Sequence, residues 1–249
     1  MKDVPRRIDD LNHDDTLKLI VDFFHRIVLH YGLWYAEVRH QMGEARSLQA
    51  LKTASARSAG IQAKRLAETL GIEMEDGLPV ALRRMSTEEL RALLKAVSVN
   101  WLANDGVWFQ AVEFASGMNN AKRCNDSCWA HFSPLEAWSI RQYLGLGERP
   151  GLEGLKRALG FRLYAAINVQ SIVDEGPDAF MFQMNKCRVQ AARKRKGLDD
   201  YPCKSAGLVE YAEFARAIDE RIVTECVGCP PDPHPEEWFC AWRFSLPEA

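Results

Sequence analysis

Leu163-Tyr164-Ala165-Ala166-Ile167-Asn168-Val169-Gln170 and Phe180-Met181-Phe182-Gln183-Met184-Asn185 decide the fold class. Leu163, Ala165, Ile167 and Val169 alternate with other residues in the first stretch, as Phe180, Phe182 and Met184 do in the second. A period of two marks a strand with one buried face. Gly176-Pro177-Asp178 between them is a turn sequence, so the two stretches predict an antiparallel hairpin. Residues 221–226 and 238–246 predict a second strand pair, with Trp238, Cys240, Trp242 and Phe244 sharing a face. A helix carrying Leu208, Tyr211, Phe214 and Ile218 separates the pairs, after a polar, basic segment.

Upstream of Gly160 the apolar spacing is three-four. Leu17, Ile20, Phe24, Ile27, Tyr31, Trp34 and Val38 predict a helix over 16–40. Residues 44–70 continue the pattern, with Ser55 as the polar exception and Gly71 as a C-cap. Ser86 and Glu89 form a capping box that opens a helix through Leu90, Leu93, Leu94, Val97 and Trp101. Asn104-Asp105-Gly106 predicts a break, and Ser133-Pro134 predicts another helix start, with proline at the first helical position. A short helix from Leu152 ends at Gly160. The order predicts an α+β fold, an N-terminal helical bundle packed on a C-terminal antiparallel sheet with an inserted helix. No glycine- or serine-rich linker interrupts 1–249, which predicts a single domain with a helical part (1–160) and a sheet part (161–249).

The 249 residues are 47% hydrophobic, enough to bury a core without covalent staples. A net charge of −2 gives no global field for nucleic acid or anionic membrane, so neither is an expected partner. No apolar run reaches the roughly 18 residues of a membrane span. The charged start Met1-Lys2-Asp3-Val4-Pro5-Arg6-Arg7 lacks a signal-peptide core, and a cytoplasmic location is expected.

Seven cysteines in a reducing compartment point to metal or redox chemistry rather than a disulfide framework. Five of them, Cys187, Cys203, Cys226, Cys229 and Cys240, crowd the last quarter. Cys226-Val227-Gly228-Cys229-Pro230-Pro231 is a knuckle, with Gly228 permitting the tight turn. Side-by-side hairpins would bring Cys187, Cys203, Cys226 and Cys229 to one end of the sheet as ligands of a structural zinc or, alternatively, an iron–sulfur cluster. Cys240, inside a strand pattern, reads as a buried apolar cysteine. Inert core thiols and a redox disulfide are the competing accounts, and Cys124 and Cys128 beside His131 could bind metal but, without a second half, read as packing.

His30-Tyr31-Gly32-Leu33-Trp34-Tyr35-Ala36-Glu37 and Asn104-Asp105-Gly106-Val107-Trp108-Phe109 look alike. Glycine within a helical pattern suggests close approach of a backbone or ligand. One account is a small-molecule pocket walled by Trp34 and Trp108, with His30, Glu37, His40 and Asp105 as polar contacts; the other is helices crossing at small residues. Arg188, Arg193, Lys194, Arg195 and Lys196 form a basic run next to Cys187 that could hold an anionic group or lie solvated.

The stretches 184–197, Pro202-Cys203-Lys204 and 226–232, the segments around Trp34 and Trp108, and the ending Trp238-Phe239-Cys240-Ala241-Trp242 resemble an uncharacterised bacterial cytosolic protein family. More distantly, the helices-then-sheet order and C-terminal thiols are similar to two better-described groups. Likeness to the L-2-amino-thiazoline-4-carboxylate hydrolase-like family implies ring opening of a small sulfur heterocycle. Likeness to 4-vinyl-reductase-type sensor domains implies a small-molecule pocket buttressed by zinc, with Glu225, Cys226, Cys229 and Cys240 in the comparable stretch. Two functions are therefore expected: a cytosolic small-molecule-binding protein with a cysteine-ligated zinc, or a metal-dependent hydrolase with Glu37, Glu225 or His234 as acid–base group. An iron–sulfur electron carrier is a third.

Overall fold

The structure, a computed structural model, describes residues 7–195, 197 and 200–247. The charged start at 1–6, and Lys196 of the basic run, lie outside the described residues. Contacts divide the chain into two compact units, Met1–Arg83 and Arg84–Ala249.

The first unit is a helix pair. Asn12 caps α1 (His13–Met42) by accepting from the Asp15 N–H, and α2 (Glu44–Leu70) packs on α1. Gly43 alone joins them at φ 81°, a conformation that disfavours any residue with a Cβ. β1 (Met74–Glu75) pairs with β2 (Leu78–Pro79), and α3 (Val80–Arg83) follows. The stripe Leu17, Ile20, Phe24, Ile27, Tyr31 and Trp34 forms the expected helix, yet all six residues are exposed.

The second unit repeats this plan. Ser86 and Glu89 close the expected capping box at the start of α4 (Thr87–Ser116). Gly117, at φ 85°, joins α4 to α5 (Met118–Leu144). The paired helices match in length, 30 residues for α1 and α4 and 27 for α2 and α5. Each pair ends on a left-handed glycine, Gly71 or Gly145. Gly32 and Gly106 precede their joining glycines by the same interval, with Trp34 and Trp108 at matching places. The likeness of the two aromatic-glycine segments thus belongs to a duplicated helix–glycine–helix element. A Cβ at Gly32 or Gly106 would meet nothing within 4 Å, so neither glycine marks a close helix crossing.

Two expected breaks are absent. α4 runs through Asn104-Asp105-Gly106, and α5 runs through Pro134 instead of starting there. Local propensity is a weak signal that packing overrides: Ser133, Pro134, Glu136 and Ala137 are all buried against the rest of the unit.

α6 (Gly151–Leu159) leads to the sheet, whose strand order is β3-β4-β6-β5, antiparallel throughout: β3 (Val169–Asp174), β4 (Ala179–Lys186), β5 (Val223–Gly228) and β6 (Cys240–Ser245). The α+β class is as expected. Two details differ. Leu163–Ala166 is a 3-10 turn, so β3 begins later than the alternation suggests. The basic segment is a helix, α7 (Arg188–Arg195), which precedes the inserted helix α8 (Lys204–Ile218).

Phe180, Phe182 and Met184 of β4 pair across the ladder with Phe244, Trp242 and Cys240 of β6, and all six are buried. Tyr211, Phe214 and Ile218 of α8 and Leu152, Leu155 and Leu159 of α6 close this core. Tyr211 stacks on Trp242 with ring centroids 4.7 Å apart. Gly207 sits where α8 lies closest: a Cβ there would stand 2.5 Å from Trp242 Cζ2. Asp219, at the end of α8, accepts from the Gly151 N–H at 3.0 Å and from the Arg221 guanidinium.

Gly207→Ala is expected to destabilise the fold by about 1–2 kcal/mol in urea denaturation, because overpacking outweighs the gain in helix propensity. Gly60→Ala, with nothing within 4 Å, should instead stabilise by about 1 kcal/mol. The hydrogen bonds from Arg221 hold Asp219 at about 2, below its ordinary value. A depressed carboxylate contributes stability above its unfolded pKa and loses it as pH falls through the folded one. Thermal unfolding temperature should therefore drop between about pH 4 and pH 2, and Asp219→Asn should remove that component.

Candidate functional site: a thiol-floored cavity

Antiparallel pairing brings the end of β4, the end of β5 and the start of β6 to one edge of the sheet. Cys187 follows β4, Cys226 lies in β5, Cys229 follows it, and Cys240 opens β6. Cys203 arrives from the opposite layer as the residue before α8. Gln190, 1% exposed, fixes that segment by donating from Nε2 to the Tyr201 carbonyl at 2.9 Å and accepting from the Tyr201 N–H at 2.8 Å. The same Nε2 lies 3.4 Å from Cys203 Sγ. The Lys204 N–H donates to the Pro230 carbonyl at 2.8 Å, and its ammonium meets Asp232 at 2.6 Å, tying the knuckle to the helix start.

Cys203 and Cys229 consequently stand with their sulfurs 3.8 Å apart, Cys229 donating. That hydrogen bond lowers the Cys203 pKa and raises that of Cys229, which also contacts Cys240. Burial pushes Cys187 up to about 12. The mid-chain pair Cys124 and Cys128 is exposed on α5. Among the described residues, no group of three or more His, Cys, Asp or Glu side chains has the arrangement of a metal site.

These thiols floor a cavity of about 440 Å³ inside the second unit. Cys187, Cys203, Cys229 and Cys240 line it, whereas Cys226 does not. Cys240, which the alternation pattern assigns to the apolar core, is thus both a core and a cavity residue. Trp129, Tyr164, Tyr201, Tyr211 and Trp242 supply aromatic surface, and Asp105, Glu113 and Glu210 supply carboxyls. Arg188, Arg193 and Arg195 of α7 also line it, so the basic run borders the thiols. Gly106 lines it as well, its missing side chain leaving open space.

Of the residues expected to bind a ligand, Asp105 lines this cavity. Trp108 is 60% exposed on α4 and does not. His30, Trp34 and Glu37 lie on α1 of the first unit. Trp34 is 62% exposed against His30, and Glu37 accepts from Gln41 at 2.7 Å. Glu225 is engaged by Arg243 at 3.1 Å, and His234 stands 3.3 Å from Asp200 between Trp238 and Phe239. Neither lines the cavity.

Sequence patterns pass over the buried charges behind the cavity. Arg162, 3% exposed, donates from Nε to Glu136 Oε2 at 2.8 Å, and its Nη2 lies 2.8 Å from Glu210 Oε1. Its guanidinium sits over the Phe214 ring at 4.6 Å and over Trp129, Tyr164 and Tyr211 at 5.5–5.9 Å. Burial opposes the cation, but Glu136 and Glu210 hold its pKa above the ordinary value. Burial raises Glu210 to about 7, against the pull of Arg162. The readable signal was an acid inside an apolar helical stripe: Glu210 among Gly207, Tyr211 and Phe214, and Glu136 among Trp129, Ser133 and Ile140.

Against known proteins, the chain belongs to a family of unknown function (DUF6125), which matches residues 9–85 and 83–246. The two matched segments divide where the two compact units divide. No curated protein and no solved structure matches the chain. Among the described residues no helix is long and apolar enough to cross a membrane.

Arg162→Met leaves Glu136 and Glu210 buried without their cation, and a loss of about 3–5 kcal/mol is expected in chemical denaturation.

Proposed function

We propose that this chain is a cytosolic small-molecule-binding protein, its ligand held in the second unit's cavity above a zinc ion bound by cysteines. The observation that carries this reading is the cavity itself, about 440 Å³ with four thiols from separate chain segments on its floor. Small-molecule sites are concave, largely apolar and aromatic, with a few convergent polar groups, and commonly fall between about 300 and 1,000 Å³.

The sulfur spacing supports the metal. Two thiolates bound at about 2.3 Å to one tetrahedral zinc stand about 3.8 Å apart, the separation of Cys203 and Cys229. Cys240 and Cys187 line the same floor and would complete a four-thiolate set, with Cys226 one step removed on β5. A closed set of this kind stabilises the edge of the sheet and leaves ligand binding to the cavity walls. Neither nucleic acid nor membrane is a proposed partner.

A second reading, a metal-dependent hydrolase of a small sulfur- or nitrogen-containing substrate, is favoured by one feature. Glu210, raised to about 7, lines the cavity that holds the thiols, and a group poised near neutrality suits general acid–base work. In that case one ligand position on zinc stays open for water. The hydrolase-like resemblance belongs with this reading, and the zinc-buttressed sensor resemblance with the first.

Metal analysis of protein purified without oxygen should find about one zinc per chain and a colourless solution. Iron with sulfide and a brown colour would replace zinc by a cluster, and metal-free protein binding neither would end the thiolate-site reading. Cys203→Ser and Cys229→Ser should each lose most of the metal and lower the unfolding temperature. Cys124→Ser should change neither.

A further inference from the structure

Asp105, Glu113 and Glu210 line the cavity with carboxyls, and Arg188, Arg193 and Arg195 line it with guanidiniums. Asp105 lines it, with a carboxyl raised by burial. Glu210, 7% exposed, lines it too, and its Oε1 has no aligned hydrogen bond despite lying 2.8 Å from Arg162. Glu136 shares that single guanidinium. Lys122, the cation nearest Asp105, is committed to Asp126 at 3.1 Å. Glu136 and Glu210 thus share Arg162 as their one buried cation, while Asp105 has Lys122 as its cationic neighbour. Of the arginines that line the cavity, Arg188 and Arg195 are exposed, where water and salt screen them, and Arg193 is half-buried.

The same wall is aromatic. Trp129 and Tyr164 stack at 5.7 Å, and Tyr211 stacks on Trp242 at 4.7 Å. Trp242 adds an unpartnered donor: its Nε1 is buried and has no hydrogen-bond acceptor. Aromatic faces with adjacent carboxyls attract cations, and a buried orphan donor calls for an acceptor.

We propose, resting on the ligand-binding reading above, that the cavity takes a small organic cation, with its ammonium held by the Asp105 and Glu210 carboxyls among the rings of Tyr164, Trp129 and Tyr211. An oxygen elsewhere on that ligand accepts from Trp242 Nε1.

The groups facing Glu210 are Arg162, Glu136, Asp105, Tyr164 and Tyr211. Those facing Asp105 are Lys122, Cys128, Tyr164, Tyr201 and Glu210. Glu210 is raised to about 7 in the free protein, so a cation binds best once this carboxyl has lost its proton. Affinity should therefore rise with pH, roughly tenfold from pH 6 to pH 8, as the ionised fraction grows.

The test is titration calorimetry on the full chain as purified, its metal content measured alongside, with three ligands that share a phenol ring: tyramine, 2-(4-hydroxyphenyl)ethanol and 4-hydroxyphenylacetate. Tyramine should bind at least about tenfold more tightly than the alcohol or the acid at pH 8, as hydrogen bonds to charged partners do. Its affinity should fall towards pH 6. Glu210→Gln should weaken tyramine and flatten its pH profile. Asp105→Asn, which leaves the Arg162 pairs intact, should weaken tyramine but not the alcohol. Equal or tighter binding of the alcohol or acid overturns the cation assignment while leaving the cavity a ligand site. No binding of any of the three overturns the cavity reading with it, and metal content reports on the thiol site separately.

Discussion

The contact between Gly207 and the Trp242 indole sets how closely α8 approaches the sheet. With hydrogen at that position the helix settles onto the ring, and Tyr211 one position away along the face stacks on it. That approach also places the start of α8, and Cys203 with it, beside the thiols at the sheet edge. Without it, the 3.8 Å separation of Cys203 and Cys229 would not arise. Dense packing transmits such a constraint because few voids are available to absorb a shift.

Around this contact the second unit buries more charge than a structural core requires. Replacing a buried ion pair with apolar residues of similar volume is often neutral or stabilising, so such charges are weak arguments for stability alone. Arg162 lies between Glu136 and Glu210, close to four aromatic rings, behind the cavity that Glu210 lines. It anchors Glu210 at the wall while leaving the carboxyl near its titration point. The thiols and the acids line one cavity, and the buried ones among them, Glu210 and Cys229, interact more strongly than they would in water.

The duplicated helix–glycine–helix element shows how one local plan serves two surroundings. Asn12 and Ser86 cap the first helices, Gly43 and Gly117 turn the chain, and Gly71 and Gly145 end the second helices. Where the first copy has Tyr31, Ser55 and Gln62, the second has Asp105, Trp129 and Glu136. The second set takes part in the cavity and the ion network. Backbone punctuation is shared, and the side chains that do chemistry are particular to one copy.

Much of the secondary structure was legible because it is encoded locally. The capping box at Ser86, the three-four stripes and the alternation in β4 and β6 each occupy a short window, and each appears in the structure, whereas Gly228 continues β5 instead of making the expected tight turn between Cys226 and Cys229. Pro134 misled for the complementary reason: its local preference against helix is worth a few kcal/mol, and surrounding burial outweighs it; at Asn104-Asp105-Gly106, half-buried at most, the helix simply continues. By itself the sequence determined the α+β class, the order of the four strands of the main sheet, and the crowding of thiols near the end of the chain. Only the tertiary structure decided that Cys240 joins Cys187, Cys203 and Cys229 at a cavity while Cys226 stands aside, and that Glu210 and Arg162 lie behind it. Those relations join residues far apart in the chain, through strand register and the closeness of a helix to a ring, and no spacing rule carries that information.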